Sequence, residues 1–261
     1  MDFAQFLSNL TAINPRGSTA CKNSTSWIRR LQRKELAVVR SALDNRLVRP
    51  DDLLVGSLGL PGLLYRPKDP FALVIFAHGS GSSRHSLRNR QVAEALARQG
   101  MATLLFDLLR PEEEAANARA KVFDIGLLAA RLEDVVESTE QFIDRPAIPV
   151  GLFGASTGAA AALVAGADLK AKVAAIVCRG GRPDLAGAAL AEVTAPTLLI
   201  VGGEDREVLA LNRQAQDRLR NLNSLVVIPG ASHLFPEAGA MERVVALTLN
   251  WFERYLSKDP V

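Results

Sequence analysis

Three side chains far apart in the chain have the types needed to break an acyl bond: Ser156, Asp205 and His233. A serine hydroxyl is a weak nucleophile near neutral pH, so a base must take its proton during attack. Histidine suits that task because its ordinary pKa lies near physiological pH. An acid must then fix the imidazole tautomer and stabilise its charged form. Ser156 sits in Gly154-Ala155-Ser156-Thr157-Gly158, between the apolar run Val150 to Phe153 and the alanine-rich run Ala159 to Val164. This is the pattern of a sharp strand-to-helix turn that exposes a serine hydroxyl. Side chains at positions 154 and 158 would collide with the strand or helix crossing there. Asp205 ends Gly202-Gly203-Glu204-Asp205, and His233 ends Gly230-Ala231-Ser232-His233.

Each of these residues also has a plainer reading. Ser156 could be an inert turn serine, and Asp205 could cap the helix that begins near Arg206. Glu204 and Asp107 are weaker candidates for the acid. His78, in His78-Gly79-Ser80-Gly81-Ser82-Ser83, is read as shaping its loop, and His85 as a surface residue. Cys178 is read as a small buried residue at a strand end. The plain readings of Ser156 and His233 lose weight because three loops of this kind coincide in one chain.

The elements that must position these groups follow from hydrophobic periodicity. Leu53 to Leu58 and Leu60 to Tyr65, separated by Gly59, predict an antiparallel pair. Ala72 to Ala77 is a continuous apolar run, as expected for a strand covered on both faces. Further strands are predicted at 102–106, 150–153, 173–177, 197–201 and 225–228. Between them lie helical stripes: Val92 and Leu96; Ile125, Leu128, Leu132, Val135 and Phe142; Val208, Leu211, Ala215 and Leu219; and Met241, Val244, Thr248 and Phe252. A short helix is expected near Leu185 to Leu190. Strands alternating with amphipathic helices imply a mostly parallel sheet with helices on both faces. In such sheets ligands bind beyond the carboxyl ends of the strands. Ser156, Asp205 and His233 each follow a predicted strand, so all three are expected on one edge of the sheet.

From about Leu53 to Leu256 the chain resembles the α/β-hydrolase fold, in which the triad follows the order Ser, Asp, His. Within it the likeness is to the small, nearly capless dienelactone hydrolase group. The resemblance rests on Gly154 to Gly158, on Asp205 and His233 in their glycine loops, and on His78-Gly79. It implies an α/β-hydrolase domain with a mostly parallel eight-stranded sheet and no large cap. Only nineteen steps separate Val177 from Pro196, which agrees with a small cap. It also implies an oxyanion hole made by the amides of Thr157 and Ser80. Dienelactone hydrolases proper carry cysteine where this chain has Ser156, so the resemblance implies hydrolysis without naming dienelactone as the substrate. Arg84 and Arg88 follow the oxyanion loop, and Arg179 and Arg182 follow the sixth strand. Guanidinium groups there could clamp a substrate carboxylate by paired hydrogen bonds.

The expected activity is hydrolysis of a small carboxylic ester, lactone or thioester, one bearing a carboxylate if the arginines are used. An amidase or peptidase would need the same triad. A third reading is a hydrolase-like scaffold whose basic leader binds a partner or nucleic acid. Residues 1–50 carry a charge balance of +6 against −3 for the rest, within a net charge of +3. The leader includes a predicted helix from Trp27 to Leu47 and lacks aromatic interleaving, so a solvated surface is expected and no nucleic-acid partner. The 261 residues, 48% apolar and 23% charged, are divided as a helical extension at 1–50 and a hydrolase domain at 51–261. Cys21 and Cys178 show no pairing pattern, which favours a reducing, cytoplasmic setting. No metal, organic cofactor or membrane partner is expected.

Overall fold

The computed structural model describes residues 48–257 apart from 111, 114–120 and 146. The predicted helix over Trp27 to Leu47, and nearly all of the extension at 1–50, lie outside the described residues. Eight strands form one sheet: β1 (Pro50–Val55), β2 (Leu60–Tyr65), β3 (Ala72–Ala77), β4 (Met101–Phe106), β5 (Val150–Ala155), β6 (Ala175–Arg179), β7 (Thr197–Gly202) and β8 (Asn223–Ile228). Their order across the sheet is β1-β2-β4-β3-β5-β6-β7-β8. β1 pairs antiparallel with β2, and β2 with β4. From β4 through β8 every pairing is parallel.

The five strands β3 to β7 are buried along their whole lengths, whereas β1 and β8 at the two margins are partly exposed. The continuous apolar runs have this cause: a parallel sheet covered on both faces has no polar side to alternate with. Successive residues still face opposite ways. Leu73, Ile75 and Ala77 of β3 join Leu152 of β5 and the helices α2 (Ile125–Glu137) and α3 (Thr157–Leu169) in one core. Ala72, Val74 and Phe76 join Phe153, α1 (Leu87–Arg98) and α5 (Ala240–Leu256) in the other. The Phe76 and Phe153 rings lie 4.8 Å apart across that second core. The remaining helix, α4 (Arg206–Arg218), follows β7 and packs on β7 and β8.

Three local expectations need correction. The sixth strand begins at Ala175 and runs through Arg179, so Cys178 and Arg179 belong to the strand and not to its exit loop. Pairing with β5, which sets Ala155 opposite Arg179, extends the strand past its apolar run. The segment Pro183–Ala191 consists of two short 3₁₀ turns broken at Gly187, where φ is 56°. The stripe ending at Phe142 is helical only to Glu137; a 3₁₀ turn at Thr139–Gln141 then brings Phe142 into the core. Among the described residues no helix is long and apolar enough to cross a membrane.

Candidate active site

Ser156 occupies the turn between β5 and α3 with φ 52° and ψ −123°. That conformation is costly for a residue with a Cβ and persists only when its surroundings enforce it. The surroundings are tight. A Cβ on Gly154 would stand 2.4 Å from the Ala159 Cα, and one on Gly158 2.2 Å from the Ala77 carbonyl oxygen. Glycine at both positions lets the start of α3 press against the end of β3, which tips the serine out of the turn. Ser156 is the N-cap residue of α3, yet its side chain makes no capping hydrogen bond. Serine is favoured at N-caps for the bond its hydroxyl makes there, and here that bond is absent.

Asp205 shows the same departure. It stands at the N-cap of α4 and makes no side-chain capping bond. Its Oδ2 lies 2.6 Å from His233 Nδ1. Asp205 is the less exposed of the two, at 14% against 39% for the histidine side chain. The carboxylate therefore holds Nδ1 as the protonated nitrogen and leaves Nε2 for proton transfer. His233 and Ser156 flank one turn. The Ser156 amide donates to the Arg179 carbonyl at 3.3 Å, and the Arg182 amide to the Ser156 carbonyl at 3.0 Å. A Cβ on Gly180, inside that turn, would lie 3.7 Å from His233 Cε1. Among the described residues no hydrogen bond joins the Ser156 hydroxyl to His233 in this conformation.

The other candidates separate cleanly. His78 is buried; its Nδ1 faces the Gly79 carbonyl at 2.9 Å and its Nε2 accepts from the Leu108 amide at 3.0 Å. Both nitrogens serve the loop, as the sequence suggests, and His85 is exposed. Asp107 accepts from the Arg84 amide at 2.7 Å and pairs with its guanidinium. Arg182 is held by both oxygens of Asp184, at 2.9 and 2.8 Å. Cys178 is fully buried, and burial pushes its thiol up to about 12. The amide of Ser80 is already engaged: it donates to Thr157 Oγ1 at 3.0 Å. Among the described residues no group of three or more His, Cys, Asp or Glu could hold a metal ion.

Arg179 is as buried as Arg131 but, unlike it, has no carboxylate partner among the described residues. It is only 7% exposed, its Nη2 donates to Asn89 Oδ1 at 3.2 Å, and its guanidinium lies 5.9 Å from the centre of the Phe235 ring. Burial, and then the neighbouring Arg88, draw its pKa down to about 10. Among the described residues neither Arg179 nor Arg88 has a carboxylate partner, and the Nε of each is buried without a hydrogen bond. Arg88 and Phe235 also border a groove of about 300 Å³ beside the His233 loop. Asn89 and Phe235 carry no sequence signal of their own. Only the packing of α1 and the His233 loop over the end of β6 brings them to Arg179.

Comparison with known proteins agrees with this architecture. Residues 70–246 match the family model of the alpha/beta hydrolase domain. A solved dienelactone hydrolase from Anabaena variabilis is 50% identical, covers 80% of this chain and 99% of its own, and superposes with a TM-score of 0.75. Est1E from Butyrivibrio proteoclasticus, solved with ferulic acid bound, shares the fold at 18% identity, 78% and 98% coverage and a TM-score of 0.65. Two Mycobacterium tuberculosis proteins, each named "Putative phosphoribosyl transferase", are 56% identical over 204 residues, 78% of this chain. The chain spans about half the length of those curated relatives, 46% of each. With the strand order, the helices on both faces and the serine turn after β5, these matches make the chain a member of the α/β-hydrolase family, in its dienelactone hydrolase-like group.

Proposed function

We propose that the protein is a serine hydrolase of small carboxylic esters, lactones or thioesters that bear a carboxylate. The observation behind this reading is Asp205, a carboxylate at a helix cap position that ignores the helix and holds His233 Nδ1 at 2.6 Å. In the reaction Ser156 Oγ attacks the substrate carbonyl while His233 Nε2 takes its proton. The tetrahedral oxyanion is met by the amide of Thr157, and by that of Ser80 once its N–H exchanges Thr157 Oγ1 for the oxyanion. Collapse breaks the acyl bond, and the imidazolium returns the proton to the leaving group. Water then attacks the acyl-serine, His233 takes its proton, and Ser156 leaves protonated as the acid departs. The open Ser156–His233 link fits this scheme, since catalytic hydrogen bonds tighten on substrate binding.

The substrate class draws on two supports. The 50% identical relative is named a dienelactone hydrolase, which favours a lactone or related small ester. Arg179 and Arg88, two guanidiniums without a carboxylate partner among the described residues, favour an anionic substrate. The cysteine usage read from the sequence favours a cytoplasmic setting. The test is labelling with a fluorophosphonate probe and mapping the adduct, followed by turnover of nitrophenyl acyl esters with and without a carboxylate. Label on Ser156, and a KM for the anionic ester that rises about 10-fold or more in Arg179→Met while the neutral ester is spared, supports the reading. Label elsewhere, or cleavage of the matching acyl nitroanilides in preference to the esters, overturns it.

A further inference from the structure

We propose that Glu237 is a positioning residue for the catalytic base, its carboxylate holding the Ser232 amide and, through it, the loop that presents His233. The inference rests on the serine-hydrolase reading above. Among the described residues the His233 ring makes one hydrogen bond, to Asp205, and its side chain is 39% exposed. That bond fixes the tautomer, but one bond at one corner of the ring leaves the place of Nε2 to the backbone. A misplacement of about 1 Å can lower a rate on the order of 10²-fold, so the backbone on either side of His233 must be held.

Ahead of His233 the loop is tied to the loop of the acid. The Glu204 amide donates to the Ala231 carbonyl at 2.9 Å, and Gly202 permits the approach, since a Cβ there would stand 2.3 Å from that oxygen. Beyond His233 the chain turns back on itself. The Phe235 amide donates to the Ser232 carbonyl at 3.2 Å, and Phe235 takes φ 55°, a left-handed conformation that a large side chain holds only under constraint. Glu237 closes this turn. Its Oε1 accepts from the Ser232 amide at 3.0 Å, and its carbonyl accepts from the Ala240 amide at 3.0 Å, at the start of α5. Ser232 is thus held at both its amide and its carbonyl, and one residue joins the His233 loop to a helix anchored in the second core.

An acid just ahead of a helix serves the helix dipole in many proteins. Here the side chain bonds back to Ser232, and among the described residues no amide of α5 donates to it. Hydrogen bonding from the Ser232 side chain, and then from the amides of Glu237 itself and of Ser232, holds the Glu237 carboxyl below its ordinary value. The group is therefore an ionised acceptor near neutral pH.

The experiment compares Glu237→Leu, which keeps bulk but not the acceptor, with Glu237→Gln, which keeps an acceptor oxygen but not the charge. The readouts are kcat and KM for nitrophenyl esters, melting temperature, and the low-field proton resonance of the imidazole N–H that His233 donates to Asp205, recorded without substrate. The chain has only three histidines, so His233→Ala assigns that resonance directly. The leucine variant is expected to lose about 10- to 100-fold in kcat with KM within threefold, and its His233 resonance should broaden or vanish. Glu237→Gln should recover most of the rate and the resonance. Glu237→Ala supplies the same readouts if the leucine variant does not fold. A leucine variant with kcat within threefold of wild type or an unchanged His233 resonance, or a glutamine variant as impaired as leucine, overturns the proposal. Failure of the underlying reading looks different: the wild-type protein would then take no fluorophosphonate on Ser156, while the His233 resonance would still report whether Glu237 holds the loop.

Discussion

Replacing Ser156 by glycine should make the protein more stable while abolishing its activity. The residue sits at φ 52° and ψ −123°, a conformation that glycine adopts freely and a residue with a Cβ does not. Such strain costs about 1–3 kcal/mol. Glycine gives back roughly 0.5–1 kcal/mol through the greater freedom of its unfolded chain. The net gain is about 0–2.5 kcal/mol, or up to roughly 10 °C in Tm for a domain of this size. The comparison that isolates the strain is Ser156→Ala, which also lacks the hydroxyl but keeps the Cβ and therefore the cost. Its Tm should stay near that of wild type, because the Ser156 hydroxyl makes no capping bond to be lost. Both variants should lose turnover by on the order of 10⁴-fold or more. Thermal melts followed by circular dichroism, with nitrophenyl ester assays on the same preparations, provide the readout. A glycine variant no more stable than the alanine variant would refute the strained elbow and the argument that the fold enforces it.

Three further outcomes follow from particular contacts. Asp205→Asn should keep the fold but lower kcat roughly 10³- to 10⁴-fold, since an amide no longer fixes the tautomer of His233; retention of wild-type kcat would remove Asp205 from the site. Gly158→Ala puts a Cβ 2.2 Å from the Ala77 carbonyl oxygen, which must push α3 away from β3 at the cost of about 1–3 kcal/mol or more, measured as a lower urea midpoint together with lost turnover. Glu113 is held down to about 2, first by its hydrogen bonds from the buried Arg131 at 2.7 and 2.8 Å. A depressed carboxyl contributes stability above its ordinary pKa of 4.5, and that contribution is lost as pH falls toward about 2. Glu113→Gln should therefore be less stable than wild type at pH 7, with the two denaturation midpoints converging as pH approaches 2; a constant difference across that range would count against the ion pair.

Hydrophobic patterning in the sequence was sufficient to find all eight strands and their alternation with helices, though β1 begins three residues before the run Leu53 to Leu58 and ends at Val55, and β6 ends two residues past Val177. A strand buried on both faces must be apolar throughout, and that demand is local. The serine turn was legible for a similar reason: Gly154 and Gly158 meet backbone atoms of elements adjacent in the motif or one strand away. The candidate acid and base were legible because each stands just past a strand, and parallel strands deliver their carboxyl ends to one edge. The Arg182–Asp184 pair, two positions apart, could also have been read locally.

Folding decided the remaining questions, which concern pairings between distant residues. It joined Arg84 to Asp107 and left Arg179 among Asn89, Phe235 and Arg88. It extended β6 so that Arg179 became a buried strand residue instead of a rim residue. It turned Asp205 away from its helix toward an imidazole 28 positions on, and brought the Ser80 amide to a hydroxyl 77 positions away. Hydrogen bonds and ion pairs act over a few ångströms through space, and spacing along the chain does not fix those distances.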